Sequence, residues 1–93
     1  MRESKLQKSI IDYCKKNNIY VINIFGAGMC GKGTPDLIMC VKGRFVAMEC
    51  KVGNNKLQAD QIVHKHRITD AQGLWCCPYT LQDAIDFIEE IRG

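Results

Sequence analysis

The sequence predicts an α/β domain in which helices pack on a four-stranded, mixed β-sheet. Three segments carry apolar residues at helical spacing, four short runs are rich in β-branched and aromatic residues, and glycine or proline separates many of them. The predicted order is α-β-β-β-α-β-α. At 93 residues, we expect one domain over residues 1–93, with a thin hydrophobic core.

The first third of the chain predicts a helix, a strand and a loop. Residues 2 to about 16 form the helix, because apolar residues recur every three or four positions: Leu6, Ile10, Tyr13 and Cys14. Residues 19–25 form a β-branched and aromatic strand. Residues 26–34 contain four glycines and form a loop, and Pro35 prevents a helix from following.

The next segment predicts a hairpin whose register matters for function. Residues 36–41 and 44–50 are two strands around Lys42-Gly43. A two-residue turn pairs Val41 with Arg44, and the same register brings Asp36 opposite Glu49. A four-residue loop keeps this register, whereas a three-residue loop breaks it.

The last third predicts two helices around a short strand. Residues 57 to about 71 form a helix that Gly73 closes, and residues 74–77 form a strand. Thr80 and Asp83 have the spacing of a capping box at the start of the third helix. The buried stripe of that helix is Ala84, Phe87, Ile88 and Ile91.

The composition is 46% hydrophobic and 25% charged, which is typical of a soluble globular protein. No apolar run approaches the roughly 18 residues of a membrane span, and the polar N-terminus does not resemble a signal peptide. We therefore expect an intracellular, cytoplasmic protein with no membrane partner. The net charge of +3 permits a polyanionic partner without requiring one.

Six cysteines raise the alternatives of a disulfide framework or a zinc site. There is no CxxC pair, and adjacent Cys76 and Cys77 do not readily chelate one ion together. Most of the cysteines lie in apolar segments, where thiols behave as small hydrophobic groups. We expect reduced, structural cysteines.

The hairpin register predicts a metal-dependent catalytic centre. Opposed carboxylates on Asp36 and Glu49 repel each other unless a cation lies between them, and Mg²⁺ or Mn²⁺ is the natural occupant. The backbone carbonyl of Cys50 could complete the ligand set. Strand alternation puts Lys51 on the same face as Glu49, with Val46, Met48 and Cys50 on the other.

This set of groups suits phosphodiester hydrolysis, because the metal activates a bound water while Lys51 orients that water or neutralises developing charge. The alternative is a solvated hairpin face on which Lys51 makes an incidental ion pair with Glu49 or Asp36.

Two further residues point toward the same centre. Glu3 lies at the edge of the inward stripe of the first helix and could be another metal ligand. Its alternative role is that of a first-turn acid that favours the helix dipole. Gln61 shares a helix face with Leu57, His64 and Ile68, where an amide needs a polar partner. Gln61 could bind the attacking water or a ligand carboxylate, or be an ordinary polar helix residue.

Together these motifs resemble the PD-(D/E)XK nuclease superfamily and, more narrowly, the virus-type replication-repair nuclease (VRR-NUC) family. The matching residues are Gly33-Thr34-Pro35-Asp36, Glu49-Cys50-Lys51, and Leu57 with Gln61. The resemblance implies a restriction-endonuclease-like αβββαβ(α) core. It also implies metal-binding roles for Asp36, Glu49 and possibly Glu3, and catalytic roles for Lys51 and Gln61.

The resemblance further implies DNA as the substrate. Free-standing family members resemble dimeric Holliday-junction resolvases, so we expect a homodimer that cuts branched DNA such as a four-way junction. Candidate DNA contacts are Lys32, Gly33, Thr34 and Lys56. One departure from the family pattern is the long, glycine-rich loop before Pro35, which leaves the choice of substrate open.

Several other patterns favour ordinary roles. Residues 26–32 match two nucleotide-binding loop motifs, but both require a helix next, and a strand follows here. His64 and His66 face different directions, which favours surface positions. Trp75 favours the core over base stacking. The lysines of the first helix favour a solvated face: Lys5, Lys8, Lys15 and Lys16.

Three alternatives to a junction nuclease share the predicted fold. The first is a nucleic-acid-binding module without catalysis, against which the intact Asp36, Glu49 and Lys51 argue. The second is a nuclease for flaps or linear DNA with the same chemistry. A sequence-specific restriction-type nuclease would need a base-reading element, and the chain has no spare segment for one.

Overall fold

A computed structural model describes residues 2–24 and 31–93. Its elements follow the predicted order: α1 (Glu3–Lys16), β1 (Tyr20–Asn23), β2 (Leu37–Val41), β3 (Arg44–Met48), α2 (Ala59–Asp70), β4 (Leu74–Cys76) and α3 (Leu81–Arg92). The predicted α/β class is confirmed. The nucleotide-binding loop motifs of residues 26–32 lie mostly outside the described residues, and so does the predicted end of β1 at Phe25.

The sheet has four strands in the order β1-β2-β3-β4. β2 pairs antiparallel with β1 and β3, whereas β4 pairs parallel with β3, so the sheet is mixed as predicted. Lys42 and Gly43 have φ angles of 51° and 77°, which a two-residue type I′ turn requires. Val41 therefore lies opposite Arg44 and Leu37 opposite Met48, and the predicted register is confirmed.

β2 and β3 are shorter than predicted at the end that carries the carboxylates. β2 begins at Leu37 and β3 ends at Met48, so Asp36 and Glu49 lie one residue beyond the paired strands. The physical reason is a change of hydrogen-bond partner: the backbone N–H of Cys50 donates to the side chain of Asp36. The β2–β3 ladder ends where this carboxylate replaces a backbone carbonyl.

One face of the sheet carries the core beneath α1 and α3. Alternate residues of β2 and β3 point into this core, which matches the predicted inward face of β3. α3 begins with the predicted capping box, because Thr80 Oγ1 accepts the N–H of Asp83 and Asp83 Oδ2 accepts the N–H of Thr80. The buried cluster is Leu6, Ile10, Cys14, Ile19, Leu37, Met39, Val41, Val46, Met48, Cys50, Ala84 and Ile88.

α2 differs from the other helices because none of its residues is buried. It packs against β4, and its C-terminus ends in a Schellman motif. Gly73 N–H donates to Ile68 C=O, and Gln72 N–H donates to Thr69 C=O.

The prediction that Gly73 takes the left-handed conformation after α2 was wrong, because Gln72 has the φ of 73°. Gly73 is required for space instead: an added Cβ would lie 2.9 Å from Ile68 Cγ2 and 3.1 Å from Phe45 Cδ1.

The five described cysteines are free thiols, in agreement with the predicted reduced state. Cys14 and Cys50 are buried, while Cys40 is exposed. Burial raises the pKa of Cys14 to about 11 and of Cys76 to about 12, so these thiols stay protonated. Among the described helices, none has the length and apolarity that a bilayer crossing requires.

Candidate active site

The structure brings Asp36, Glu49 and Lys51 together at one end of the β2–β3 hairpin. Asp36 immediately precedes β2, and Glu49 immediately follows β3. Their exposed fractions are 5%, 3% and 6%. Charged side chains are rarely buried this deeply without a partner. A solvated hairpin face, the alternative interpretation, therefore does not describe this site.

Asp36 is fixed by two backbone contacts. Its Oδ2 accepts the N–H of Cys50 at 3.0 Å, and its backbone carbonyl accepts the N–H of Ile24 at 2.9 Å. The first contact crosses the hairpin, and the second ties Asp36 to the residue after β1. The carboxylate is thus held from both neighbouring strands.

Glu49 has one satisfied and one unsatisfied carboxylate oxygen. Its Oε2 accepts the side-chain N–H of Gln61 at 3.2 Å. Its Oε1 is buried and has no hydrogen-bond partner among the described residues. Buried acceptors are seldom left unpaired, and an anionic oxygen beside a second carboxylate is a ligand that a hard cation prefers.

Gln61 is held between α2 and Glu49. Its Oε1 accepts the backbone N–H of Gln58 at 2.8 Å, which leaves the amide nitrogen to donate to Glu49. Of the two roles considered from the sequence, the structure shows the contact with a carboxylate. The supporting amide of Gln58 was not predicted, because nothing in its residue type distinguishes a backbone donor.

The two carboxyl groups have raised pKa values. Burial is the largest cause at both, and it raises the pKa of Glu49 to about 8, with further increases from the charge of Asp36 and a hydrogen bond with it. The pKa of Asp36 is raised as well, although the Cys50 amide opposes the shift. The pair therefore favours one bound proton near neutral pH when no cation is present.

Lys51 supplies positive charge to this pair without a direct ion pair. Its backbone N–H donates to Pro78 C=O at 3.2 Å, which fixes the chain beside β4. Within residues 2–24 and 31–93, no ion pair shorter than 4.0 Å involves its ammonium. The Lys51 charge nevertheless lowers the pKa of Asp36 and Glu49, so the ammonium lies within electrostatic range of both.

Glu3 lies near this centre but binds elsewhere. Its Oε2 accepts the side-chain N–H of Asn55 at 3.0 Å, and its charge contributes to the raised pKa of Asp36 and Glu49. In the described ranges, no three His, Cys, Asp or Glu side chains are grouped as a metal site. The carboxylates brought together are thus Asp36 and Glu49, and metal binding by Glu3 stays a prediction.

Residues 31–34 lie against the first turns of α2. Gly33 has a φ of 86°, and a Cβ added to it would lie 2.6 Å from the backbone of Asp60. The Lys32 ammonium lies 3.9 Å from Asp60 Oδ2, and the Lys32 carbonyl accepts from His64 Nε2 at 3.1 Å. Thr34 Oγ1 donates to the Gly31 carbonyl at 2.6 Å. DNA contacts by residues 32–34 remain predictions.

Asp60 is a site residue that the sequence analysis missed. Its Oδ1 accepts the backbone N–H of Gln61 at 3.0 Å, so it links residues 31–34 to the helix turn that carries Gln61. An acid in the first turn of a helix is common and gave no signal of this role.

The remaining candidates lie farther from the carboxylates. Lys56 is exposed in the wall of a groove formed with residues 53–55 and Tyr79, and its predicted DNA contact is untested. Trp75 is half-buried, and the Lys65 ammonium lies 4.9 Å from its ring centroid. His66 is exposed, as expected.

Neither a protein-family sequence model nor a curated protein sequence matches this chain. A search of solved structures finds a VRR_NUC domain that superposes with a TM-score of 0.78 at 20% sequence identity. The match covers 94% of this chain and 94% of that domain. The chain therefore has the fold of a VRR-NUC nuclease domain, the family that its sequence motifs resemble.

Proposed function

We propose that this protein is a metal-dependent DNA endonuclease that hydrolyses phosphodiester bonds. The observation that carries the proposal is the buried, unpaired Oε1 of Glu49 beside Asp36 and Lys51. The nuclease identity of the similar fold supports the same conclusion.

The residues present fit a divalent cation. Asp36, Glu49 and the backbone carbonyl of Cys50 would hold Mg²⁺ or Mn²⁺, which prefer oxygen ligands. When bound, such a cation supplies an activated water and stabilises charge on the phosphate. The raised pKa of Glu49 predicts that binding releases a proton, since a carboxylate must be ionised to bind metal.

The protein's own side chains perform the remaining work. The Lys51 ammonium, buried and not engaged by a short ion pair in the described ranges, is available to a phosphate oxygen or to the attacking water. The Gln61 amide holds the orientation of Glu49 from the other side. Hydrogen bonds to the carboxylates preorganise them before DNA binds.

We further propose that the substrate is branched DNA, such as a four-way junction, and that the active form is a homodimer. Symmetric cleavage of two strands requires two centres, and the thin core of a 93-residue chain leaves its surface available for pairing. Light scattering at micromolar concentration should give about twice the mass of the 10.5 kDa chain. A species of 10.5 kDa alone would contradict the dimer.

The decisive experiment is a cleavage assay on labelled junction, flap, single-stranded and linear duplex DNA, with Mg²⁺, with Mn²⁺ and with EDTA. We expect cleavage that requires metal and is fastest on the junction. Lys51→Ala and Glu49→Gln should each lower kcat by about 10²–10³, the usual effect of removing one group that stabilises transition-state charge. Lys16→Ala, an exposed lysine on α1, is the control.

The alternative function is a nucleic-acid-binding module without catalysis. DNA binding without cleavage of any substrate in either metal would favour it, as would binding that Lys51→Ala leaves unchanged. Preference for a flap or for linear duplex over the junction would keep the chemistry and replace the proposed substrate.

A further inference from the structure

One face of the sheet is left uncovered over β1, β2 and the start of β3. Tyr20, Cys40 and Phe45 form one cross-strand row on this face, because Tyr20 pairs with Cys40 and Cys40 pairs with Phe45. Ile22 and Ile38 form the next row. We call these five residues the open sheet face.

The exposure of these side chains follows from where the helices pack. α1 and α3 pack on the core side of the sheet, against β1 and β2, while α2 packs against β4. Tyr20 and Phe45 are consequently 71% and 47% exposed, and Ile22 is 40% exposed. A cluster of exposed aromatic and aliphatic side chains on a small protein is typical of a binding surface.

Phe45 also lines a groove at the edge of this face. The groove has a volume of about 660 Å³, and its other polar walls are His64 and Arg67 of α2. An aromatic ring beside a guanidinium is a common arrangement for stacking an unpaired base and contacting the phosphate that follows it.

The charge of this region favours a polyanion over a second copy of the chain. Residues 17–24 and 37–48, which contain β1, β2 and β3, include Lys42 and Arg44 and no Asp or Glu. Arg67 adds a further positive charge at the groove. In a two-fold interface each positive patch would meet itself, whereas phosphates would neutralise it.

The open sheet face is continuous with the candidate active site. Phe45 and Glu49 are four residues apart, so alternation puts them on the same side of the chain, roughly 13 Å apart along the strand direction. Gln61 and His64 join the two regions along α2, because they lie one helical turn apart. A strand cut at Asp36 and Glu49 could therefore continue over Phe45.

We propose that the open sheet face binds an unpaired, single-stranded segment of the DNA substrate, with bases stacked on Phe45 and Tyr20. This inference rests on the proposed nuclease function and adds the feature of the substrate that the protein recognises. It assigns Phe45, Tyr20 and Arg67 to substrate binding rather than to the chemical step.

The test is a binding measurement in EDTA, so that it does not depend on cleavage. A fluorescein-labelled dT15 oligonucleotide is titrated with the protein, and its anisotropy gives Kd. Phe45→Leu and Tyr20→Leu keep an apolar side chain but remove the ring, and each should weaken binding about tenfold. Phe45→Tyr should retain wild-type affinity. Arg67→Ala should lower the salt dependence of log Kd by about one phosphate contact.

Ile62→Ala is the matched control, because Ile62 is as exposed as Ile22 but lies on α2. Circular dichroism and thermal unfolding of each variant establish that it is folded. Addition of dT15 to the wild type should also shift the amide NMR signals of β1, β2 and β3, which needs no substitution. Equal affinity of Phe45→Leu, Tyr20→Leu and wild type would overturn the inference.

Two other results would separate the hypotheses. A wild type that self-associates, together with leucine variants that are monomeric and bind dT15 normally, would identify a contact between copies and overturn the inference. A wild type that cleaves junctions but binds dT15 no better in the presence of these aromatics would leave the nuclease function intact. Binding of dT15 that depends on the rings, without cleavage of any DNA, would refute the nuclease function alone.

Discussion

At Glu49, burial and charge oppose each other within a single side chain. The carboxyl group is buried, one of its oxygens has no partner among the described residues, and a second carboxylate lies close by. The fold thus maintains an arrangement that is costly without a cation. Active sites commonly hold groups in such environments, because the same conditions that destabilise the free protein strengthen ligand binding.

The raised pKa of Glu49 predicts that the metal-free protein loses stability as pH rises. The folded-state pKa of about 8 exceeds the ordinary value of 4.5, so the protonated form stabilises the fold. This contribution is complete below pH 4.5 and is lost as pH rises through about 8. The free energy of unfolding should fall by at most about 1.4 kcal/mol per pH unit between these values.

Urea unfolding in EDTA at pH 6, 7, 8 and 9 measures this dependence. Glu49→Gln, which carries no titrating proton, should flatten the profile between pH 6 and pH 8. Parallel profiles for wild type and variant would contradict the prediction. Mg²⁺ should raise the stability of the wild type most at high pH, where the carboxylates are already ionised.

Gly31 and Gly33 allow backbone strain to be separated from close packing. Both have a φ of 86°, but a Cβ on Gly31 meets nothing within 4 Å, whereas one on Gly33 would collide with the backbone of Asp60. Each alanine substitution should cost about 1–2 kcal/mol of stability from the conformation alone.

Gly33→Ala should additionally displace the first turn of α2 and move Gln61 away from Glu49. We therefore expect its kcat for DNA cleavage to be at least about tenfold below that of Gly31→Ala, since misplacement by about 1 Å can cost a hundredfold. Equal kcat values in the two variants would show that the contact with Asp60 does not position Gln61.

Among the elements, the β2–β3 hairpin was the most predictable from sequence. A two-residue turn determines the register of both strands, and the register determines that Asp36 and Glu49 meet. Alternation then fixes the face on which Lys51 lies. These inferences succeed because each depends on local geometry that the residue types at two or three positions determine.

The turn itself can be tested at Gly43, which has a φ of 77° and no atom near its absent Cβ. Gly43→Ala should reduce stability by about 1–2 kcal/mol through backbone strain. Lys42→Asn should be neutral or slightly stabilising, because asparagine tolerates the left-handed conformation better than lysine does. Thermal unfolding of both variants measures the difference, and a destabilising Lys42→Asn would argue against the type I′ geometry.

The parts of the site that the sequence did not predict depend on contacts between distant segments. The contact of Lys32 and Gly33 with Asp60 joins a loop to a helix that follows two strands later, and no periodicity encodes it. The end of α2 shows a second limit. Gln72 occupies the left-handed position, and Gly73 is needed instead for its contact with Ile68 and Phe45.

At the scale of the whole molecule, the thiols report on the integrity of the fold. Cys14 and Cys50 lie in the core, and burial raises the pKa of both, whereas Cys40 is exposed. In a Cys30→Ser background, a thiol reagent such as Ellman's reagent should modify Cys40 rapidly, and modify Cys14 and Cys50 only at the rate of unfolding. Rapid modification of Cys14 or Cys50 in the native protein would contradict the described core.

The lack of any buried side chain in α2 has a consequence for how substrate reaches the centre. Detaching this helix would expose little apolar surface, so its local opening should cost much less free energy than unfolding of the sheet. Its amide hydrogens should therefore exchange with solvent earlier than those of β2 and β3. A bulky DNA backbone could enter by lifting the helix that carries Gln61, while the hairpin that carries the carboxylates stays closed.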